Sequence, residues 1–162
     1  MSLAVRSSLL ALSAVIVAVA SAQAVTLSST LAVRVVVQPA CTVSGGTLDF
    51  GNYTSGQATA LNGFVQIAYS ACPATQLRFQ LDGGANGTTA ARRLANGSGG
   101  FLNYGIFRDS ARTQNFGQGV ESRLITPAAS GTGTVSVYGR IAAGQSVAAG
   151  TYTDTVVITL DF

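Results

Sequence analysis

Apolar and polar residues alternate most clearly near the two ends of the chain. Near the front, Leu27, Leu31, Val33, Val35 and Val37 share one parity. At the back, Tyr152, Val156, Ile158, Leu160 and Phe162 share one parity, and Thr151, Thr153, Thr155, Thr159 and Asp161 share the other. Period two marks a strand with one buried face. The rear strand has no partner strand after it, and the front strand precedes any turn signal. The pattern therefore predicts a β-domain without its closing strand and a spare strand at its front, the arrangement of a subunit that completes a neighbour.

Between these ends the chain shows short alternating runs separated by Gly and Asn, with no helical period, as all-β domains do. Residues 26–38 form the first long run, and Thr47–Gly51 a short one. Over 64–72 the set Val65, Ile67, Tyr69 competes with Phe64, Ala68, Cys72, which predicts a bulge or an uneven face. Gln76–Asp82 places Leu77, Phe79 and Leu81 inward and ends at Asp82-Gly83-Gly84. Residues 83–100 read as loop. Phe101–Asp109 places Leu102, Tyr104 and Ile106 inward. Residues 110–131 read as irregular, with a weak extended segment around Val120–Ile125. Thr132–Ile141 carries Val135, Val137 and Ile141 on one side, before turns at Ala143-Gly144-Gln145 and Ala149-Gly150. About seven strands at this spacing predict a single two-sheet sandwich.

The first 24 residues read as a secretory signal: Arg6, an apolar run from Leu9 to Ala20, then small residues for cleavage after Ala22 or Ala24. That run is short for a membrane span, so none is expected in the mature chain. Export makes a disulfide the expectation for Cys41 and Cys72. All nine basic residues are Arg; without Arg6 the formal charge is 8 − 6 = +2. That charge is too low and dispersed for a nucleic-acid surface.

Candidate chemistry is sparse. The chain has no His, Glu121 is its only Glu, and no Ser lies in a Gly-x-Ser-x-Gly elbow. Gly97-Ser98-Gly99-Gly100 and Gly131-Thr132-Gly133 lack the Lys and helix of a phosphate loop. No catalytic residue, metal site or cofactor is expected. Asp49, Asp82, Asp109 and Asp154 read as turn and capping residues rather than Ca²⁺ ligands. Arg108 and Asp109 read as loop-ordering residues, and Arg92-Arg93 as solvated loop rather than a partner patch. Asn52-Tyr53-Thr54, Asn86-Gly87-Thr88 and Asn96-Gly97-Ser98 fit glycosylation sequons but serve equally as turns.

Cys41-Thr42-Val43 followed by Gly46-Thr47-Leu48-Asp49-Phe50-Gly51 resembles the opening of the spore coat protein U family, which includes secreted pilins of the archaic chaperone–usher pathway. Further matching segments follow in order. They are Leu81-Asp82-Gly83-Gly84; Leu102-Asn103-Tyr104 with Phe107 to Thr113; Tyr138-Gly139-Arg140-Ile141 with Gly144-Gln145; and Ala149 to Phe162. The resemblance implies an immunoglobulin-like fold missing its seventh strand. A periplasmic chaperone would lend that strand during export, an outer-membrane usher would take part in assembly, and the next subunit's N-terminal extension would replace the chaperone in the fibre.

On this reading residues 25–33 are the donor extension and 34–162 the pilin domain, with the first domain strand beginning just after Val33. Leu27, Leu31, Val33 and Val35 are the donor anchors; Tyr152, Val156, Ile158, Leu160 and Phe162 face the acceptor groove. Burying those four anchors contributes roughly 6–12 kcal/mol gross, which is large against a domain stability of about 5–15 kcal/mol. The expected function is a structural pilus subunit, secreted through the periplasm to the cell surface and supporting adhesion and biofilm formation. Its partners are identical or related subunits, chaperone and usher. Two alternatives remain: a coat or outer-matrix protein that fills its own groove, and a carbohydrate-binding tip adhesin.

Overall fold

The computed structural model describes residues 24–37 and 40–162. The predicted signal segment and its cleavage point lie almost wholly outside the described residues. The chain divides between Val36 and Val37 into two units. In the first, Ala24–Val36 carry no helix or strand, and their side chains are exposed. Among the described residues the second unit is all-β, with eight strands.

In chain order these are β1 (Thr42–Val43), β2 (Leu61–Ser70), β3 (Leu77–Leu81), β4 (Arg92–Ala95), β5 (Phe101–Phe107), β6 (Arg123–Ile125), β7 (Gly133–Ile141) and β8 (Ile158–Asp161). One sheet has the order β1-β2-β7-β5-β4 and the other β6-β3-β8, with every pairing antiparallel. The core lies between them. Ile67, Tyr69, Val135 and Val137 face Leu77, Phe79 and Leu81, all buried. Alternation explains this: β3 reads buried–exposed–buried–intermediate–buried, and β7 buries Val135, Val137, Gly139 and Ile141. The Cys41–Cys72 disulfide joins the chain entering β1 to the chain leaving β2.

Several expectations are corrected. Arg34–Val37 form no strand and are exposed; the first strand is β1. A strand needs a ladder partner, and apolar alternation alone supplies none. Thr47–Gly51 is also outside any strand. β2 has no bulge, since its register with β7 runs unbroken from Leu61↔Ile141 to Tyr69↔Gly133. Val65, Ile67 and Tyr69 face inward. Cys72 joins them because Ala71, at φ 55°, turns the chain through the left-handed region and shifts the parity. Phe64 lies on the outer face against Tyr138, at 5.1 Å between ring centroids.

The span 83–100 is not all loop, for it contains β4, and Arg92 is buried rather than solvated. Gly119–Glu121 form a 3₁₀ turn where the sequence predicts an extended segment, with the strand starting at Arg123. The last segment forms a ladder only over β8. Its parity holds through Leu160, but Phe162 is exposed. The face bearing Tyr152, Val156, Ile158 and Leu160 is half-buried rather than buried. The second unit is an incomplete immunoglobulin-like sandwich, open along one side.

Candidate functional site: an open cleft between the sheets

The opening is a cleft of about 840 Å³ between two extended segments, residues 46–53 and residues 151–158. Its floor is the core itself, with the buried Ile67, Leu102, Ile106, Val137 and Ile141 lining the cavity from below.

The C-terminal wall ties the two sheets together. Thr153 exchanges both backbone hydrogen bonds with Ala95 of β4, each 2.9 Å. Farther along, the Ala85 N–H donates to the Thr155 carbonyl and the Asp82 N–H to the Val157 carbonyl, both 3.1 Å. The Val157 N–H donates to Asp82 Oδ1 at 2.9 Å. In an extended chain, alternate residues direct their backbone groups to opposite sides. Tyr152, Asp154 and Val156 accordingly direct theirs away from these partners, and among the described residues no hydrogen bond is made by their N–H or C=O groups. The wall is an unpaired sheet edge with a period of two.

The opposite wall is held by side chains. Thr47–Phe50 make no backbone ladder bonds among the described residues. Leu48 and Phe50 instead press onto a cross-strand glycine pair, Gly63 of β2 and Gly139 of β7. A Cβ on Gly139 would lie 2.6 Å from the Phe50 ring and 2.8 Å from Leu48; one on Gly63 would lie 3.0 Å from Leu48. Glycine at both positions lets the wall seat directly on the sheet. Phe50 also meets Tyr104 edge-on at 6.0 Å. One end of the cleft is closed by Tyr53, whose hydroxyl donates to the Ala142 carbonyl and accepts from the Gln145 N–H, and by Ser55, whose Oγ accepts from the Val147 N–H.

The C-terminal wall of the cleft carries one charged side chain. Asp154, half-buried, accepts at Oδ2 from the Tyr104 hydroxyl (2.7 Å) and at Oδ1 from the Ala85 N–H (2.9 Å), the Asn86 amide (3.1 Å) and its neighbour the Thr155 N–H. Burial, with the Asp154 carboxylate beside it, pushes the Tyr104 phenol well above its ordinary range, so it stays protonated and donates. Beneath this point Arg92 is buried; desolvation lowers its pKa against the opposing pull of Tyr104 and nearby carboxylates.

Of the predicted groove residues, Tyr152, Val156 and Ile158 line the cleft. Leu160 packs on the core beyond it, and Phe162 is exposed and does not line it. The predicted donor residues Leu27, Leu31, Val33 and Val35 are each more than four-fifths exposed, at 95%, 88%, 87% and 82%. Cys41 and Cys72 are bonded to each other. The acidic residues act in turns: Asp49 accepts from the Gly51 N–H, Asp82 from the Gly84 N–H, and Asp109 from the Thr113 and Gln114 N–H groups. Hydrogen bonding to those backbone donors holds the Asp109 carboxyl below its usual range. Arg108 holds the same loop through Gln114 and the Ser122 carbonyl. Among the described residues no cluster of three His, Cys, Asp or Glu could hold a metal, and no helix is long and apolar enough to cross a membrane.

The sequence pattern gives Thr47–Gly51 as a short alternating run and Asp154 as a turn residue, and places neither at the groove. Both were marked by parity: Leu48 with Phe50, and Asp154 with Tyr152 and Val156.

The family model described as the Spore Coat Protein U domain matches residues 27–159. The chain is similar to "Protein U" of Myxococcus xanthus, at 32% identity over 173 aligned positions covering 91% of each protein. In fold it is similar to a chain in the crystal structure of the CsuC–CsuE chaperone–tip adhesion subunit pre-assembly complex from archaic chaperone-usher Csu pili of Acinetobacter baumannii. The TM-score is 0.57 at 22% identity, covering 78% of this chain and 40% of the length of that one. A domain match over most of the chain and a relative aligned along nearly its whole length lead to one conclusion: this protein belongs to the spore coat protein U domain family.

Proposed function

We propose that this protein is a structural subunit of an extracellular chaperone–usher pilus, whose copies polymerise by donor-strand exchange. In this reading residues 25–33 of one copy, continued in register by Val35, lie in the cleft of the next and bury Leu27, Leu31 and Val33 there. The observation that carries the proposal is the edge at Tyr152, Asp154 and Val156, whose unpaired backbone groups border a cleft that opens straight into the core. Such an edge is a template for an added strand, with backbone bonds giving affinity and alternate side-chain pockets giving register. The same chain supplies an exposed alternating segment of fitting chemistry. A periplasmic chaperone covers the cleft in transit, an outer-membrane usher passes subunits to the surface, and the fibre serves adhesion and biofilm formation.

The test is a denaturing gel of the unboiled mature protein beside a variant lacking residues 25–33. A ladder that collapses to monomer in the variant is the expected result; equal ladders in both lanes overturn the proposal. The family's description and the likeness to "Protein U" favour a second reading, a coat protein whose cleft is filled by its own extension. A stable monomer in both lanes, with the N-terminus protected from protease in the intact protein, selects it.

A further inference from the structure

The inference here rests on the donor-strand reading and concerns what sets the register of the strand in the cleft. Because side chains alternate, a strand entering the cleft can slide only by two residues while keeping its apolar face inward. Apolar packing alone distinguishes such slides weakly, since Leu and Val exchange places in similar pockets at modest cost.

The donor face of residues 25–37 reads Val25, Leu27, Ser29, Leu31, Val33, Val35, Val37, so Ser29 is its one polar member. The wall face reads Tyr152, Asp154, Val156, Ile158, Leu160, and Asp154 is its one charged member. Asp154 Oδ2 accepts a single hydrogen bond, from Tyr104, although a carboxylate oxygen has room for about two. The Tyr104 oxygen, donating to Asp154, keeps its own acceptor capacity.

We propose that Ser29 of the incoming copy docks against the Asp154–Tyr104 pair and thereby fixes the register. With Ser29 opposite Asp154, Leu27 and Leu31 fall on Tyr152 and Val156, one on each, whichever way the strand runs. Ile158 then receives Val33 in one direction and Val25 in the other. A slide of two residues either way puts Leu27 or Leu31 over the carboxylate. It strips water from a charged group without replacing the hydrogen bond, which is far costlier than a Leu–Val exchange.

Thr and Val have nearly the same shape and differ by the hydroxyl, so the decisive comparison is Ser29→Thr with Ser29→Val in the full mature chain. The readout is the rate at which the gel ladder dissociates on warming in detergent. Ser28→Val, on the opposite face, controls for changes in the extension itself. Ser29→Thr and Ser28→Val ladders are expected to dissociate as the native ladder does, and the Ser29→Val ladder about tenfold faster. In a Tyr104→Phe background, which removes part of the docking pair, the gap between Thr and Val at position 29 narrows. A Ser29→Val ladder as durable as the native one overturns the register proposal and leaves donor-strand exchange standing. Absence of any ladder from the native chain overturns donor-strand exchange, and this proposal with it.

Discussion

Arg92 is 2% exposed, and its guanidinium donates to the carbonyls of Leu81, Asp82, Thr89 and Phe116. Those carbonyls lie at the end of β3 (Leu81), in the stretch that follows it (Asp82, Thr89) and in the loop after β5 (Phe116), so one cation collects backbone groups from three places in the chain. Arginine suits the task because its planar fork offers five donors in fixed directions. Arg92→Leu leaves several acceptors stranded in the interior and is expected to destabilise the domain by about 3 kcal/mol or more, measured as a drop in the urea midpoint at unchanged slope. Arg92→Lys, with one nitrogen to distribute, is expected to fall between the two. None of this was legible locally: a basic pair in a span rich in Gly, Asn and Ala has the composition of a solvated loop. The partners that bury Arg92 lie up to 24 residues away.

Among the elements, β3, β5 and β7 were readable because each carries at least five residues of strict alternation with large apolar side chains inward. β1, β4 and β6 have two, four and three residues, too few to display a period, and only pairing with longer neighbours makes them strands. That the 46–53 segment forms a cleft wall was illegible for a related reason. It has no ladder of its own and is positioned by Gly63 and Gly139, whose missing side chains are informative only once β2 and β7 are known to be adjacent. The N-terminal segment was visible as a strand-like pattern from its alternation, and an anchor position within it can be tested singly. Leu31→Asp places a charge where an apolar pocket is expected, and should abolish the gel ladder while leaving the thermal unfolding of the domain unchanged, because Leu31 is exposed in the free chain. A ladder of native length from Leu31→Asp would remove Leu31 from the list of anchors.

For the whole molecule, the Cys41–Cys72 bridge closes a loop that contains all of β2 and the 46–53 wall. With the cysteines 31 positions apart in sequence, closing it stabilises the fold by roughly 3–4 kcal/mol in the chain-entropy model. The Cys41→Ala, Cys72→Ala double variant is expected to lose about that much in denaturant unfolding, and to form shorter ladders as the wall loses its anchor. The sandwich class could be read from strand spacing, but which edge stays open could not, because that depends on pairings such as Ala95 with Thr153, 58 residues apart. The open edge also has a direction. Residues 46–50 run antiparallel to β2, continuing the course of β1, and counting the reversals through β7, β5, β4 and the Ala95–Thr153 bridge shows that the C-terminal wall runs the opposite way. A strand lying between two such walls, pulled along its own axis, strains every cross-strand bond at the same moment, whereas pulling it sideways opens them one at a time like a zip. On the donor-strand reading proposed above, a filament that takes its load along the inserted strand would therefore resist being drawn out by flowing liquid better than being peeled apart.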